Sequence, residues 1–322
     1  MRHDFADVAF VWGGDSWVNI RNRPGSDPQC SVAAWPMALG CDVLGWDSGK
    51  ARAVPKAKLR QYRVLLVNLF DTSRHVKQIR AAHPDAYIVA MPDPYLEIVL
   101  YDDPPRILEQ LVHADAIGGR TRHDVAVYGT LFDKPAVWLP SPIGPAETFR
   151  AAWGEAKRDV LIATEHHWQP NSSAATVAAL AAIQRQNGAA VHFYGATSKT
   201  RRIAELAGLR AEWRERIPYA DMVRETARAR WGVDLYAGHA QGRNLQTHAM
   251  VGTPVMGSRT NNPMGVEMAD PYCPEDAAER VLAAWDGPAY EERRQRAREY
   301  VEAAYGFDAS RRRMAETLGA LL

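Results

Sequence analysis

The chain reads as an α/β protein: two doubly wound parallel-sheet domains in succession, closed by a helical tail. Three observations carry this reading. Short apolar runs alternate with helix-length amphipathic segments over most of the 322 residues. The alternation pauses once, at "PSPIGPAET" (residues 140–148), and then restarts. Beyond Pro274 only helical patterns remain. Repeated strand-then-helix units suit a parallel sheet, because each parallel neighbour needs a crossover that returns the chain to the same end.

In the first half, residues 7–12 ("DVAFVW") form a strand closed by Gly13 and Gly14. Residues 31–39 form a helix despite Pro36, residues 42–46 a second strand and residues 63–70 a third. A helix starting near Thr72 or Ser73 leads to a strand at 86–91, which Pro92 and Pro94 end. The spacing of Ile107, Leu108, Leu111 and Val112 predicts a helix over 105–114. A short strand around Ala116, a helix from His123 and a strand at 136–140 complete the half. Three prolines and a glycine in 140–148 mark a domain linker.

The second half begins with a strand at 159–164 and a helix from Ser172 to Gln186. A strand at 189–195, a helix through Ala204 to Leu209 and a short strand near Trp213 follow. Tyr219 or Asp221 opens the next helix, and residues 231–238 and 253–258 are the last strands. The tail has helices at 275–285 and 289–305, and a third ending at Leu322.

Composition narrows the function classes. Hydrophobic residues are 47% and charged residues 24%, ordinary values for a folded globular chain. A net charge of +1 gives no whole-chain attraction to nucleic acid, and the local arginine clusters read as solvated helix faces. Three scattered cysteines, without CxxC or HExxH, suit neither a disulfide framework nor a structural zinc site. No stretch approaches the roughly 20 apolar residues of a membrane span. The expectation is a cytoplasmic protein with reduced thiols, no transmembrane segment and no bound metal.

Ligands of open parallel sheets gather at the carboxyl ends of the strands, so the loops there hold the candidate residues. After the first strand, "WGGDSW" pairs Gly13 and Gly14, which permit close backbone approach, with Asp15, either a helix or turn cap or a general base. Asp93, in "MPDP", is either a turn residue or a second such base, while Asp71 reads as a helix cap. "ATEHHWQPNSS" offers Glu165, His166, His167 and Trp168 either to line a ligand site or as plain loop. In "ERIPYAD", Tyr219 and neighbouring backbone sit where a planar ring can be sandwiched. The fullest candidate is "GHAQGRNLQTHAM": His239, Gln241, Gly242, Arg243 and Asn244 lie where a helix begins. Free backbone N–H groups, the positive helix end and an arginine together favour an anion such as a diphosphate, the alternative being a simple capped helix.

These residues also resemble a known family. "IPYADMVRETARARWGVDLYAGHAQGRNLQTHAMVGTPVMGS" (217–258), followed by "YCPEDAAERVLAAW", resembles the carboxyl-terminal half of GT-B glycosyltransferases, particularly the family-4-like group. Ala249, Met250, Gly252, Pro254 and Val255 approximate that family's pattern before its last strand. "HADAIGG…KPAVWLPSPIG" resembles its interdomain crossing.

The resemblance implies two Rossmann-like domains facing across a cleft, an acceptor domain at 1–145 and a nucleotide-sugar donor domain at 146–290. Helices over 291–322 would pack back on the first domain. It further implies that Ile217 and Tyr219 flank the donor base and that Gly242, Arg243 and Asn244 meet its diphosphate. Where the family shows a pair of glutamates, this chain has His239 and Thr247. The family's Arg/Lys pair has no match after "LIATEHHW", leaving Arg243, Lys199 or Arg201 to substitute.

The implied function is metal-independent transfer of a sugar from a nucleotide diphosphate, as co-substrate, to a hydroxyl acceptor. For an inverting reaction Asp15, then Asp93, is the base; for a retaining one His239 contacts the sugar. The alternatives are a phage-type enzyme acting on hydroxymethylated bases of DNA, with Arg21, Arg23, Arg120 and Arg122 as a basic rim, and a non-catalytic nucleotide-sugar-binding protein.

Overall fold

The structure, a computed structural model, describes residues 5–13, 34–46, 56–69, 75–93, 96–101, 106–144, 146–150, 152–153, 155, 157–165, 170–235, 243–258, 267–270 and 273–322. The chain divides into two compact units: Met1–Gly144 with Phe307–Leu322, and Pro145–Gly306.

Six parallel strands form the sheet of the first unit: β1 (Val8–Gly13), β2 (Asp42–Trp46), β3 (Val64–Leu69), β4 (Tyr87–Pro92), β5 (Ala116–Gly119) and β6 (Ala136–Trp138). Their order is β2-β1-β3-β4-β5-β6, so the chain changes direction across the sheet between β1 and β3. The described helices are α1 (Ala34–Leu39), α2 (Lys56–Leu59), α3 (His75–Ala82), α4 (Leu96–Tyr101), α5 (Ile107–Leu111) and α6 (Arg122–Phe132).

Alternation along β3 serves both faces. Leu65, Val67 and Leu69 join Val76, Ile79, Ile107 and Leu111 in one core, while Val64 and Leu66 join Trp35, Leu39, Met314 and Leu318 in the other. Met314 and Leu318 come from α14 (Phe307–Leu321), whose Arg311 Nε donates to Ala38 O (3.0 Å) on α1. Pro36 is tolerated because it stands in the first turn of α1, where its missing N–H leaves no intrahelical bond unmade. Thr121 caps α6 reciprocally: its hydroxyl accepts from Asp124 N, and the Asp124 carboxylate accepts from Thr121 N.

The second unit has β7 (Arg158–Thr164), β8 (Ala190–Tyr194), β9 (Glu212–Arg214), β10 (Ala229–Asp234), β11 (Val255–Ser258) and β12 (Glu267–Ala269), all parallel, in the order β12-β11-β10-β7-β8-β9. This is the dinucleotide-fold order, with its switch point between β7 and β10. The helices are α7 (Ala146–Arg150), α8 (Pro170–Asn187), α9 (Ser198–Ala207), α10 (Tyr219–Arg228), α11 (Arg243–Met250), α12 (Pro274–Leu282) and α13 (Gly287–Tyr305).

Several differences from the sequence reading have physical causes. α2, α4 and β12 are too short to set up a recognisable period. Pro145 stands just ahead of α7, so the segment read as linker over 140–148 already includes the start of a helix at Ala146. Residues 291–306 stay with the second unit, and the chain rejoins the first only at Phe307. None of the described helices is long and apolar enough to cross a membrane.

Lys157 is mostly buried ahead of β7, with Nζ donating to Ala227 O (2.6 Å) and Thr253 Oγ1 (2.7 Å). Burial pushes its ammonium down to about 7 from the ordinary 10.5, and Arg294 and Arg230 add to the effect. Between those two values the folded chain holds fewer protons than the unfolded one, so this site's contribution to stability rises with pH and is lost as pH falls toward 7. The unfolding free energy of the wild type minus that of Lys157→Met should therefore increase from pH about 7 to about 10 in chemical denaturation. A difference independent of pH would show that the lysine keeps its charge in the folded state.

Candidate functional site

At the switch point of the second sheet, the ends of β7 and β10 are held by side chains from three helices. Thr176, on α8, uses Oγ1 both to accept from Leu235 N (3.0 Å) and to donate to Leu235 O (3.2 Å), fixing the chain just past β10. Thr164 Oγ1, at the end of β7, accepts from Asn244 Nδ2 (2.5 Å) on the first turn of α11. The start of α11 is thereby tied to the carboxyl end of β7, where the sheet's topology favours a ligand.

Glu165 follows β7 and is buried, with its backbone N–H donating to Tyr194 O (3.0 Å). Its Oε1 accepts from Ser173 Oγ (2.7 Å) and Thr200 Oγ1 (2.9 Å), while Oε2 is buried with no hydrogen-bond partner among the described residues. A buried carboxylate oxygen in that state calls for a donor, since leaving it unmatched costs about 1–3 kcal/mol or more.

Tyr219 at the start of α10 shares a hydrogen bond of 2.7 Å with Thr247 Oγ1 of α11. Ile217 is half-buried against the cluster of Ile162, Tyr194 and Ala229, as is Met222. His248, one residue after Thr247, pairs through Nδ1 with Asn244 O (2.6 Å), and burial pushes its pKa down, so the ring stays neutral. The ring packs directly against β10: a Cβ at Gly232 would stand 2.2 Å from its Cδ2.

At the end of β8, Gly195 has φ +69° and carries the stem of Arg216 against its backbone, with a Cβ there only 3.0 Å from Arg216 Cγ. Arg216 is exposed and makes no ion pair among the described residues, which leaves its charge available at this edge. Of the other cations considered for a diphosphate, Arg201 lies over the Trp213 ring (5.7 Å) and Lys199 is exposed on α9. Arg243 is the first residue of α11.

The first unit has its own hollow at the carboxyl ends of its strands, mostly apolar with a few polar groups. Phe10, Trp35, Asn68, Met91, Pro92, Asp93, Arg120, Leu139 and Ser141 line it. Asp93 follows β4, and its Oδ1 accepts from Arg120 Nη1 (3.0 Å); their side chains are 12% and 16% exposed. Arg120 therefore turns into the unit instead of forming part of an exposed basic rim. Arg122 lies over the Trp138 ring (4.6 Å), with Arg313 also over that ring (4.3 Å).

Of the residues singled out in the sequence, the structure joins Tyr219 to Thr247 and brings Asn244 to the strand that ends beside Glu165. Gly13 ends β1. Gly14, Asp15, Arg21, Arg23, Asp71, His166, His167, Trp168, His239, Gln241 and Gly242 lie outside the described residues. Thr164, Thr176, Arg216, His248, Asn68 and Trp35 were not anticipated. Asn68 alone left a trace, a polar residue closing the apolar run "VLLVNL" on a buried strand.

No family model and no curated protein matches the sequence. Similar folds are found among solved structures. A trehalose-6-phosphate synthase, OtsA, superposes with a TM-score of 0.71 at 10% identity, over 98% of this chain and 99% of that one. An alpha,alpha-trehalose 6-phosphate synthase from Burkholderia multivorans gives 0.70 at 10% identity, over 99% and 97%. An alpha-glucosyltransferase in complex with UDP and a 13-mer DNA containing an HMU base gives 0.66 at 13% identity, over 98% of each chain. The chain thus has the fold of these glycosyltransferases, GT-B, built from two Rossmann-like α/β units.

Proposed function

We propose that this chain is a glycosyltransferase that moves a sugar from a nucleotide diphosphate to a hydroxyl acceptor, without a metal. The observation that carries the reading is the switch point of the second sheet, where Asn244 on the first turn of α11 reaches Thr164 at the end of β7, next to the unmatched oxygen of Glu165, and Thr247 of the same helix holds Tyr219. The donor is assigned to the second unit. Its diphosphate lies against the start of α11 with Gln241, Gly242 and Arg243, joined by Arg216, and Ile217 and Tyr219 flank the base. Glu165 accepts from a hydroxyl of the donor.

In the transfer, the acceptor oxygen bonds to the anomeric carbon, the bond from that carbon to the diphosphate oxygen breaks, and the nucleoside diphosphate leaves with the electron pair. Fixed cations and helix N–H groups stabilise that developing charge. The hydroxyl proton goes to Asp15 or Asp93 in an inverting reaction; in a retaining one the departing diphosphate takes it and His239 contacts the sugar.

The trehalose-6-phosphate synthases and the alpha-glucosyltransferase similar in fold support the reaction class. Incubation with a panel of nucleotide sugars tests it: the expected result is donor hydrolysis or transfer with at least one. Binding without either reaction would favour a non-catalytic nucleotide-sugar-binding protein. Arg243→Ala should weaken binding of the nucleoside diphosphate roughly tenfold in calorimetry, as expected for one charge-assisted contact. Unchanged affinity would remove Arg243 from the site.

A second reading, transfer to hydroxymethylated DNA, is favoured by the DNA held in one of the similar structures. It predicts retention on DNA that disappears at moderate salt.

A further inference from the structure

We propose that the hollow of the first unit binds an uncharged, hydroxyl-bearing group of the acceptor, with Asn68 and Trp35 as its specificity-determining donors. The inference rests on the glycosyltransferase reading for the word acceptor, while the chemistry comes from the hollow alone.

Two observations define that chemistry. Asn68 and Trp35 are 4% and 1% exposed and both line the hollow, yet Asn68 Nδ2 and Trp35 Nε1 have no hydrogen-bond partner among the described residues. Buried N–H donors in this state are uncommon, and an oxygen that accepts from them recovers the loss. Alternation along β3 puts Asn68 on the same face as Val64 and Leu66, under Trp35 of α1, so both donors are fixed by packing.

The charge in the hollow selects between acceptor oxygens. Its cation, Arg120, is already neutralised by Asp93 at 3.0 Å, in a setting where both side chains are mostly buried. A phosphate or carboxylate would have to displace Asp93 from Arg120 or lie beside a carboxylate in a poorly solvated space, and either is unfavourable. A hydroxyl meets no such opposition: its oxygen accepts from the amide and indole N–H groups, and its own proton points to an acceptor. Phe10, Met91, Pro92 and Leu139 supply apolar walls for the carbon attached to it. That group can belong to a free sugar or to a hydroxymethylated base.

Nuclear magnetic resonance titration of the full chain, without donor, tests this with three probes: D-glucose, glucose 6-phosphate and 5-hydroxymethyl-2′-deoxyuridine. At least one uncharged probe should bind, which also identifies the source, and glucose 6-phosphate should bind no tighter than glucose. Asn68→Leu and Trp35→Phe should each weaken the uncharged probe about fivefold, the effect of one lost hydrogen bond. In both variants the amide resonances of the first unit should stay as dispersed as in the wild type, which reports that this unit is folded, and a parallel titration with UDP, assigned to the other unit, should be unchanged. Tighter binding of glucose 6-phosphate, binding insensitive to both variants, or no binding of either uncharged probe would overturn the proposal. Failure of the glycosyltransferase reading shows separately, as absence of nucleotide binding and of donor turnover.

Discussion

Gly232→Ala should destabilise the second unit by about 3 kcal/mol or more, because the new methyl group overlaps a buried ring that has nowhere to go. The added Cβ would lie 2.2 Å from Cδ2 and 2.4 Å from Nε2 of His248. That imidazole is buried and anchored by Nδ1 to Asn244 O (2.6 Å), so relief requires α11 to shift bodily away from β10. Since α11 also carries Asn244 and Thr247, nucleotide binding should fall with stability. Denaturant unfolding reads the first effect and UDP titration the second. The double substitution with His248→Ala should lose less than the sum of the two single losses, because the clash disappears with the ring. A Gly232→Ala protein as stable as wild type would mean that β10 and α11 do not pack in this way.

Glu165→Gln should lower kcat/KM for sugar transfer roughly 100-fold, the scale of one charge-assisted hydrogen bond to substrate. The substitution preserves size and leaves one oxygen to accept from Ser173 and Thr200, so the unfolding midpoint should move little. What changes is Oε2, buried and without a partner among the described residues, which becomes an NH2 group that donates where an acceptor is required. Retained activity together with a lowered midpoint would reassign Glu165 to holding α8 and α9 against β7.

The alternation of strands and helices was legible because buried parallel strands such as "VLLVNL" and "YIVAM" are continuous apolar runs with punctuated ends. β12 and α4 escaped because three or six residues contain too little of any period. The site was legible only as loops. Asn244 and Thr247 stood out as polar residues in a helix start, but their partners Thr164 and Tyr219 lie 80 and 28 residues away. Pairings at such distance leave no local mark. Arg120 shows the converse: an arginine in a loop reads as exposed charge until the partner Asp93, 27 residues earlier, is known.

The return of the chain at Phe307 has a consequence for how the protein is made. Trp35, Leu39 and one face of β1 and β3 pack with Met314 and Leu318, which are synthesised after the whole of Pro145–Gly306. Until Phe307–Leu322 emerge, the amino-terminal unit must wait with that side of its sheet only partly covered, while Pro145–Gly306 is complete as soon as it emerges. The order of folding on the ribosome is then the reverse of the order of synthesis, and the first unit is the one exposed to association with neighbouring chains.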